Sequence, residues 1–332
     1  MRFPYPKQKW GAKRRAGARS IKGKAGGIKS FWLSVFSVYG YRQKYKMLSK
    51  AFHKCLPTDP RSCVVFASPH SGSEYPAAMM QRTILSSQMV RSSEDAFVDR
   101  LFSSAPDNGA PLIKALAPRA FVDLNRSPDE LDPALIEGVR RQGHNPRVAS
   151  GLGVIPRVVA NGRAIYRGKL RMSEAKERLE HYWYPYHREL QSMLDEATRY
   201  HGQSVLIDCH SMPHEAVESV VRAGAPRPDI VLGDRFGAAA GSSVVDRVES
   251  AFRAQGFVVT RNAPFAGAYI TQAYGKPTRG QHAVQVEIDR ALYMDERRIQ
   301  PNANFDSVRK AIGLAVAEIA QIGMERMPLA AE

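Results

Sequence analysis

Two apolar runs, each ending in a histidine, constrain this chain more than any other feature in it. Residues 63–68 (CVVFAS) are almost continuously apolar and lead into Pro69-His70-Ser71-Gly72. Residues 204–209 (SVLIDC) behave the same way and lead into His210-Ser211-Met212-Pro213. A strand that is apolar on both faces needs helices over both faces, which is the condition of a mostly parallel α/β sheet. Parallel strands bring their C-terminal ends to one rim, so the side chains just past them converge. The pattern therefore predicts two imidazoles at one sheet edge.

The rest of the chain fits the same alternation. Short strands are expected at 120–124, 231–233, 257–260 and 283–288. Helices are expected over 93–102, from Ser173 toward Tyr200 with a break at Pro185, over 241–255 and over 305–324. Ser173-Glu174 reads as a helix cap, and no internal repeat is visible. A chain of 332 residues with 44% apolar content can bury a substantial core.

Charge matters for what it excludes. The formal net charge is +16, which by itself suggests a partner rich in phosphate or anionic headgroups. Residues 1–54, however, hold 15 Lys and Arg with no Asp or Glu, leaving 33 basic against 32 acidic residues from Cys55 onward. The expected organisation is a basic N-terminal extension over 1–54, disordered through residue 30, followed by one catalytic domain over 55–332. Nucleic-acid binding is not expected of the folded body. An alternative function, acting on nucleic acid or a membrane surface, would belong to the extension.

The apolar stretch 31–41 falls well short of the roughly 20 residues needed to span a bilayer, and no small-x-small cleavage site follows it. Cys55, Cys63 and Cys209 are odd in number and lack CxxC spacing, so a reducing cytoplasm is the expected setting.

A single strand-end histidine is more often a packed core residue than a ligand. The pair is different, because Asp208 shares a strand face with His210 and can accept a proton from its imidazole. A catalytic divalent ion commonly takes two imidazoles and one carboxylate, and the candidate third donors are Glu74, Glu94, Asp95 and Asp99. Glu287 closes the polar face Gln281, Ala283, Gln285, Glu287 of an otherwise aliphatic strand. It is the carboxylate best placed to act as general base; a buried pairing with Arg290 or Arg126 is the structural alternative. Arg119, Asn125 and Arg126 offer planar donors suited to gripping a substrate carboxylate.

These residues lie in longer motifs. Ser68-Pro69-His70-Ser71-Gly72, Glu94-Asp95-Ala96-Phe97-Val98-Asp99, Pro118-Arg119 through Asn125-Arg126, Asp208-Cys209-His210-Ser211-Met212-Pro213 and Gln285-Val286-Glu287-Ile288 occur in the order found in the N-formylglutamate amidohydrolase family, which the chain resembles from about residue 62 to 322. That family is related to the zinc carboxypeptidases. The resemblance implies a three-layer α/β/α sandwich with a mixed, mostly parallel sheet, a divalent metal (zinc foremost) held by His70 and His210, Glu287 as base, and Asn125-Arg126 on the carboxylate of a small anionic N-acyl amino acid. A carboxypeptidase-like peptidase is the runner-up reading. Carboxypeptidases place a Glu three residues after the first His, where this chain has Ser73; the amidohydrolase pattern does not require an acid at position 74 either, so Asp95 is the expected third ligand ahead of Glu74, with Glu94 and Asp99 behind. The chain departs from the pattern at Gly267-Ala268-Tyr269, where the family commonly has Gly-Gly-Tyr. The sequence leaves the oligomeric state open.

Overall fold

Seven strands form the central sheet of the computed structural model, which describes residues 50–140, 145–218 and 226–324. In chain order they are β1 (Phe52–Cys55), β2 (Val64–Ser68), β3 (Leu112–Ala115), β4 (Ser204–Met212), β5 (Ile230–Gly233), β6 (Val259–Arg261) and β7 (Gln281–Asp289). Across the sheet the order is β1-β3-β2-β4-β7-β5-β6. Neighbours run parallel from β3 through β2 and β4 to β7 and again between β5 and β6; β1 and β5 are antiparallel to β3 and β7. The sheet is mixed and mostly parallel, as expected.

Its two faces read directly from the period-two pattern. Val64, Phe66, Val205, Ile207, Val284, Val286 and Ile288 turn to one side and pack with helices α1 (Val98–Leu101), α5 (Ser242–Arg253) and α7 (Phe305–Ala320). Val65, Ala67, Leu206 and Ala283 turn to the other side, against α4 (Tyr184–His201) and α6 (Tyr269–Tyr274). Every residue of β2 and β4 is buried. Each large aliphatic side chain so buried contributes about 1.5–3 kcal/mol, which is why the central strands tolerate so few polar residues. Among the buried polar residues of these strands, Asp208, His210, Gln285 and Glu287 lie toward the C-terminal ends of β4 and β7, where His210 pairs with Glu287 and Asp208 with Gln285.

Several local expectations need correction. Residues 120–124 form turns rather than a strand, and the strand lies earlier, at β3. The helix expected over 93–102 is a turn at Arg91–Ser93, a bend through Asp95 and the short α1; Phe97 has φ 68°, a left-handed conformation costly for a side chain of this kind. Asp95 and Asp99 therefore do not share a helix face. The helical stretch from α3 (Met172–Arg178) to α4 has no side-chain cap at Ser173, and Pro185 is accommodated at the start of α4 after a π-helical turn, Leu179–Trp183. β1, paired with β3, begins before the boundary expected at residue 55.

The segments at 1–30 and 31–41 lie outside the described residues. Among the described residues no helix is long and apolar enough to cross a membrane, and the three cysteines are unpaired.

Candidate active site

The loop after β2 carries His70, the bend before α1 carries Asp95, and β4 carries His210; their donor atoms all lie within 4.8 Å of one another. His210 Nδ1 is 2.9 Å from Asp95 Oδ2, and His70 Nδ1 is 3.4 Å from the same oxygen. Each distal ring nitrogen has its own carboxylate, with His70 Nε2 2.7 Å from Asp123 Oδ1 and His210 Nε2 3.0 Å from Asp208 Oδ2. A carboxylate on the distal nitrogen fixes the ring's tautomer and turns Nδ1 toward the shared point. The three residues are at most 2% exposed.

The other acids considered for this position are engaged elsewhere. Glu74 is exposed. Glu94 accepts from Arg91 and from the Tyr75 hydroxyl, and Asp99 accepts from Lys114 Nζ at 2.8 Å. Asp95 is brought inward because its amide donates to the His70 carbonyl at 3.1 Å and Arg290 Nη2 donates to its Oδ1 at 2.8 Å. Arg290 also donates to the Ser211 hydroxyl and carbonyl. It thus pairs with Asp95, not with Glu287.

Glu287 stands beside His210 on the next strand. Gln285 Nε2 donates to its Oε1 at 2.8 Å, while Gln285 Oε1 accepts from the Ala268 amide at 3.0 Å. Ala268 itself has φ −115°, open to any residue, so the methyl at this departure from the family pattern carries no backbone strain. Burial, with the negative charge of Asp95 adding to it, pushes the Glu287 carboxyl up to about 7 against the pull of His210, Arg119 and Arg290.

Burial also opposes ionisation of Asp95 and Asp123. The hydrogen bond from His210, the nearby His70 imidazole and the charge of Arg119 outweigh it at Asp95; the charges of His70, Arg119 and Arg126 do so at Asp123. Both carboxyls are held well below the usual range. Burial likewise disfavours an imidazolium at His210, yet Asp208, Asp95 and Glu287 raise it well above its ordinary value. Four carboxylates around two imidazoles call for positive charge at this point. A divalent cation meets that demand, and the donor set fits one: His70 Nδ1 is buried without a hydrogen-bond partner and faces the other two donors.

Of the residues expected to hold substrate, Arg119 donates to Asp123 Oδ2 at 2.9 Å and approaches Asp95 Oδ1 at 3.8 Å. Asn125 is committed to the protein: its Oδ1 accepts from the Ile270 amide at 2.7 Å, and its Nδ2 donates to Asp208 at 3.2 Å and lies 3.0 Å from His210 Nε2. It steadies His210. Among the described residues Arg126 donates only to the carbonyls of Leu152 and Asn125. The carbonyls on either side of Asn125 are held by ring N–H groups, Leu124 by His187 Nε2 at 2.9 Å and Arg126 by Trp183 Nε1 at 3.0 Å. Burial lowers His187 to about 3, so it is neutral here. Sequence reasoning missed the roles of Asp123 and Arg290; the signal for Asp123 was its place between Arg119 and Asn125.

All seven expected site residues line one cavity of about 660 Å³, and Asp123, Arg147, Phe265 and Arg290 join them.

The sequence profile of the N-formylglutamate amidohydrolase family matches residues 62–294. Two N-formylglutamate deformylases, from Pseudomonas aeruginosa and Pseudomonas putida, are each 28% identical over 70% of this chain and 83% and 82% of their own lengths. The crystal structure of N-formylglutamate amidohydrolase from Ralstonia eutropha JMP134 superposes with a TM-score of 0.77 at 33% identity, covering 82% of this chain and 98% of that one. With its histidine-bearing strand ends, its carboxylates and six of the seven strands of its sheet inside residues 62–294, the chain belongs to the N-formylglutamate amidohydrolase family.

Proposed function

We propose that the protein hydrolyses the amide of N-formyl-L-glutamate, giving formate and glutamate, with a divalent metal, zinc foremost, held by His70 Nδ1, Asp95 and His210 Nδ1. The observation that carries this reading is the convergence of those three donors next to a buried Glu287, whose carboxyl is raised to about 7, in a cavity lined with arginine. An ion so held supplies Lewis acidity, polarising the formyl carbonyl and making an attacking water more acidic.

The protein's own groups do the rest. Glu287 Oε2 takes the proton as the water oxygen bonds to the formyl carbon, and returns it to the amide nitrogen as the C–N bond breaks. Gln285, fixed by the Ala268 amide, holds the other carboxylate oxygen. Asp123 and Asp208 orient the two imidazoles. Arg126, which bonds to no carboxylate among the described residues, binds the substrate α-carboxylate, with Arg119 at the same wall. Asn125 acts by orienting His210 rather than by touching substrate. The three free thiols suit a reducing compartment, and we place the enzyme in the cytoplasm.

Formate release from N-formyl-L-glutamate tests the reading. Glu287→Gln should retain metal, measured by elemental analysis, while kcat falls by about 10²–10⁴-fold. Full activity in that variant removes the base assignment, and no formate release by the metal-loaded wild type removes the function.

A further inference from the structure

We infer that Arg147 receives the side-chain carboxylate of the substrate and so sets a preference for dicarboxylic N-formyl amino acids. This rests on the proposed function, because it needs the formyl end at the three-donor centre and the α-carboxylate at Arg126.

Four arginines line the cavity, and they are not equivalent. Arg119 is neutralised by Asp123 and Asp95, and Arg290 by Asp95. Among the described residues Arg126 bonds only to neutral carbonyls. Arg147 makes no ion pair and no side-chain hydrogen bond among the described residues, and it opens on the same cavity. Two guanidinium charges therefore face one space without a bonded carboxylate between them. Like charges so placed raise the local potential and favour an anion that can meet both.

The backbone fixes their relation. Arg126 Nε donates to the Leu152 carbonyl at 3.1 Å, and the Leu152 amide donates to the Arg147 carbonyl at 2.8 Å, so a single residue joins the two cations. Helix α2 (Pro146–Ala149), which carries Arg147, is capped by Asn145 Oδ1 on the amides of Arg147 and Val148. Arg157, itself paired with Asp132 at 2.8 Å, donates to the Ala149 carbonyl at the far end of α2. Burial, followed by the positive charge of Arg119 and Arg147, lowers the proton affinity of Arg126 against the pull of Asp123, as expected of a cation crowded by its own kind.

N-formylglutamate and N-formylglutamine have nearly the same shape and differ in one charge, so their ratio of kcat/KM reads this contact. Wild type should favour the glutamate compound, and Arg147→Met should lower the ratio roughly 10–100-fold through KM, the range of one partly solvated charged hydrogen bond. Arg147→Lys should recover part of it. An unchanged ratio in Arg147→Met overturns the inference. Calorimetry supplies a readout without turnover: glutarate should bind more tightly than butyrate to wild type, and Arg147→Met should erase that difference. If neither N-formyl compound is hydrolysed by wild type, the proposed function falls. A glutarate preference that survives in Arg147→Met overturns the Arg147 assignment independently.

Discussion

Replacing Gly72 with alanine should damage the enzyme out of proportion to one methyl group. A Cβ at position 72 would lie 2.1 Å from the Ala117 carbonyl oxygen, 2.7 Å from its carbon and 2.8 Å from the Leu116 carbonyl carbon. All three are backbone atoms, so no side chain can swing away. Non-bonded carbon contacts settle at about 3.5 Å, so one segment must move by roughly 1 Å. The Leu116 side is pinned by its amide on the Ala51 carbonyl at 3.1 Å and by the Glu74 amide on its own carbonyl at 2.9 Å. The displacement therefore falls on the loop that holds His70, two residues away. Overpacking of this kind costs about 1–3 kcal/mol of stability, and misplacing a catalytic group by about 1 Å costs on the order of 10²-fold in rate. Formate-release kinetics, thermal unfolding and metal content on Gly72→Ala, with exposed Ser73→Ala as control, measure each part. A Gly72→Ala enzyme within threefold of wild type in kcat/KM, with unchanged unfolding temperature, would refute the argument that this close approach positions His70.

Two further outcomes follow from the same geometry. Asp123→Asn removes the carboxylate from His70 Nε2 and should weaken metal binding by roughly 10–100-fold, seen as a shift in activity against free metal concentration; an unshifted curve argues that Asp123 does not orient the ligand. Glu287 works as a base only when ionised, so kcat/KM should rise with pH through its pKa. Burial lifts that pKa to about 7 in the protein alone, and a bound cation can only lower it, so the acid limb should fall at about 7 or below; a limb centred above 8 would contradict the assignment.

The strongest elements were the most legible. β2, β4 and β7 announce themselves because burial on both faces leaves little room for polar residues, and this makes His210 and Glu287 stand out in the aliphatic pattern. β1 and β3 were hidden because neither carries a continuous apolar run: β1 is an edge strand, FHKC, with His53 and Lys54 exposed, and β3 is four residues, LIKA, interrupted by Lys114. Asp95 was identifiable as a candidate, but not the conformation that delivers it, because the left-handed Phe97 and the bond to the His70 carbonyl are tertiary in origin. Asn125 looked like a substrate donor, and its actual partners, Ile270 and His210, lie far away in sequence. No period or spacing could reveal them.

The three donors at the centre come from positions 70, 95 and 210, on three separate elements that meet only when β2 and β4 are side by side. No local stretch of the chain holds even two of them in place. An unfolded chain therefore has almost no hold on the ion, and whatever affinity the native protein has for it is added to the free energy of folding. If the proposed ion binds as described, the unfolding temperature of this protein should rise with free ion concentration by an amount set by its metal affinity.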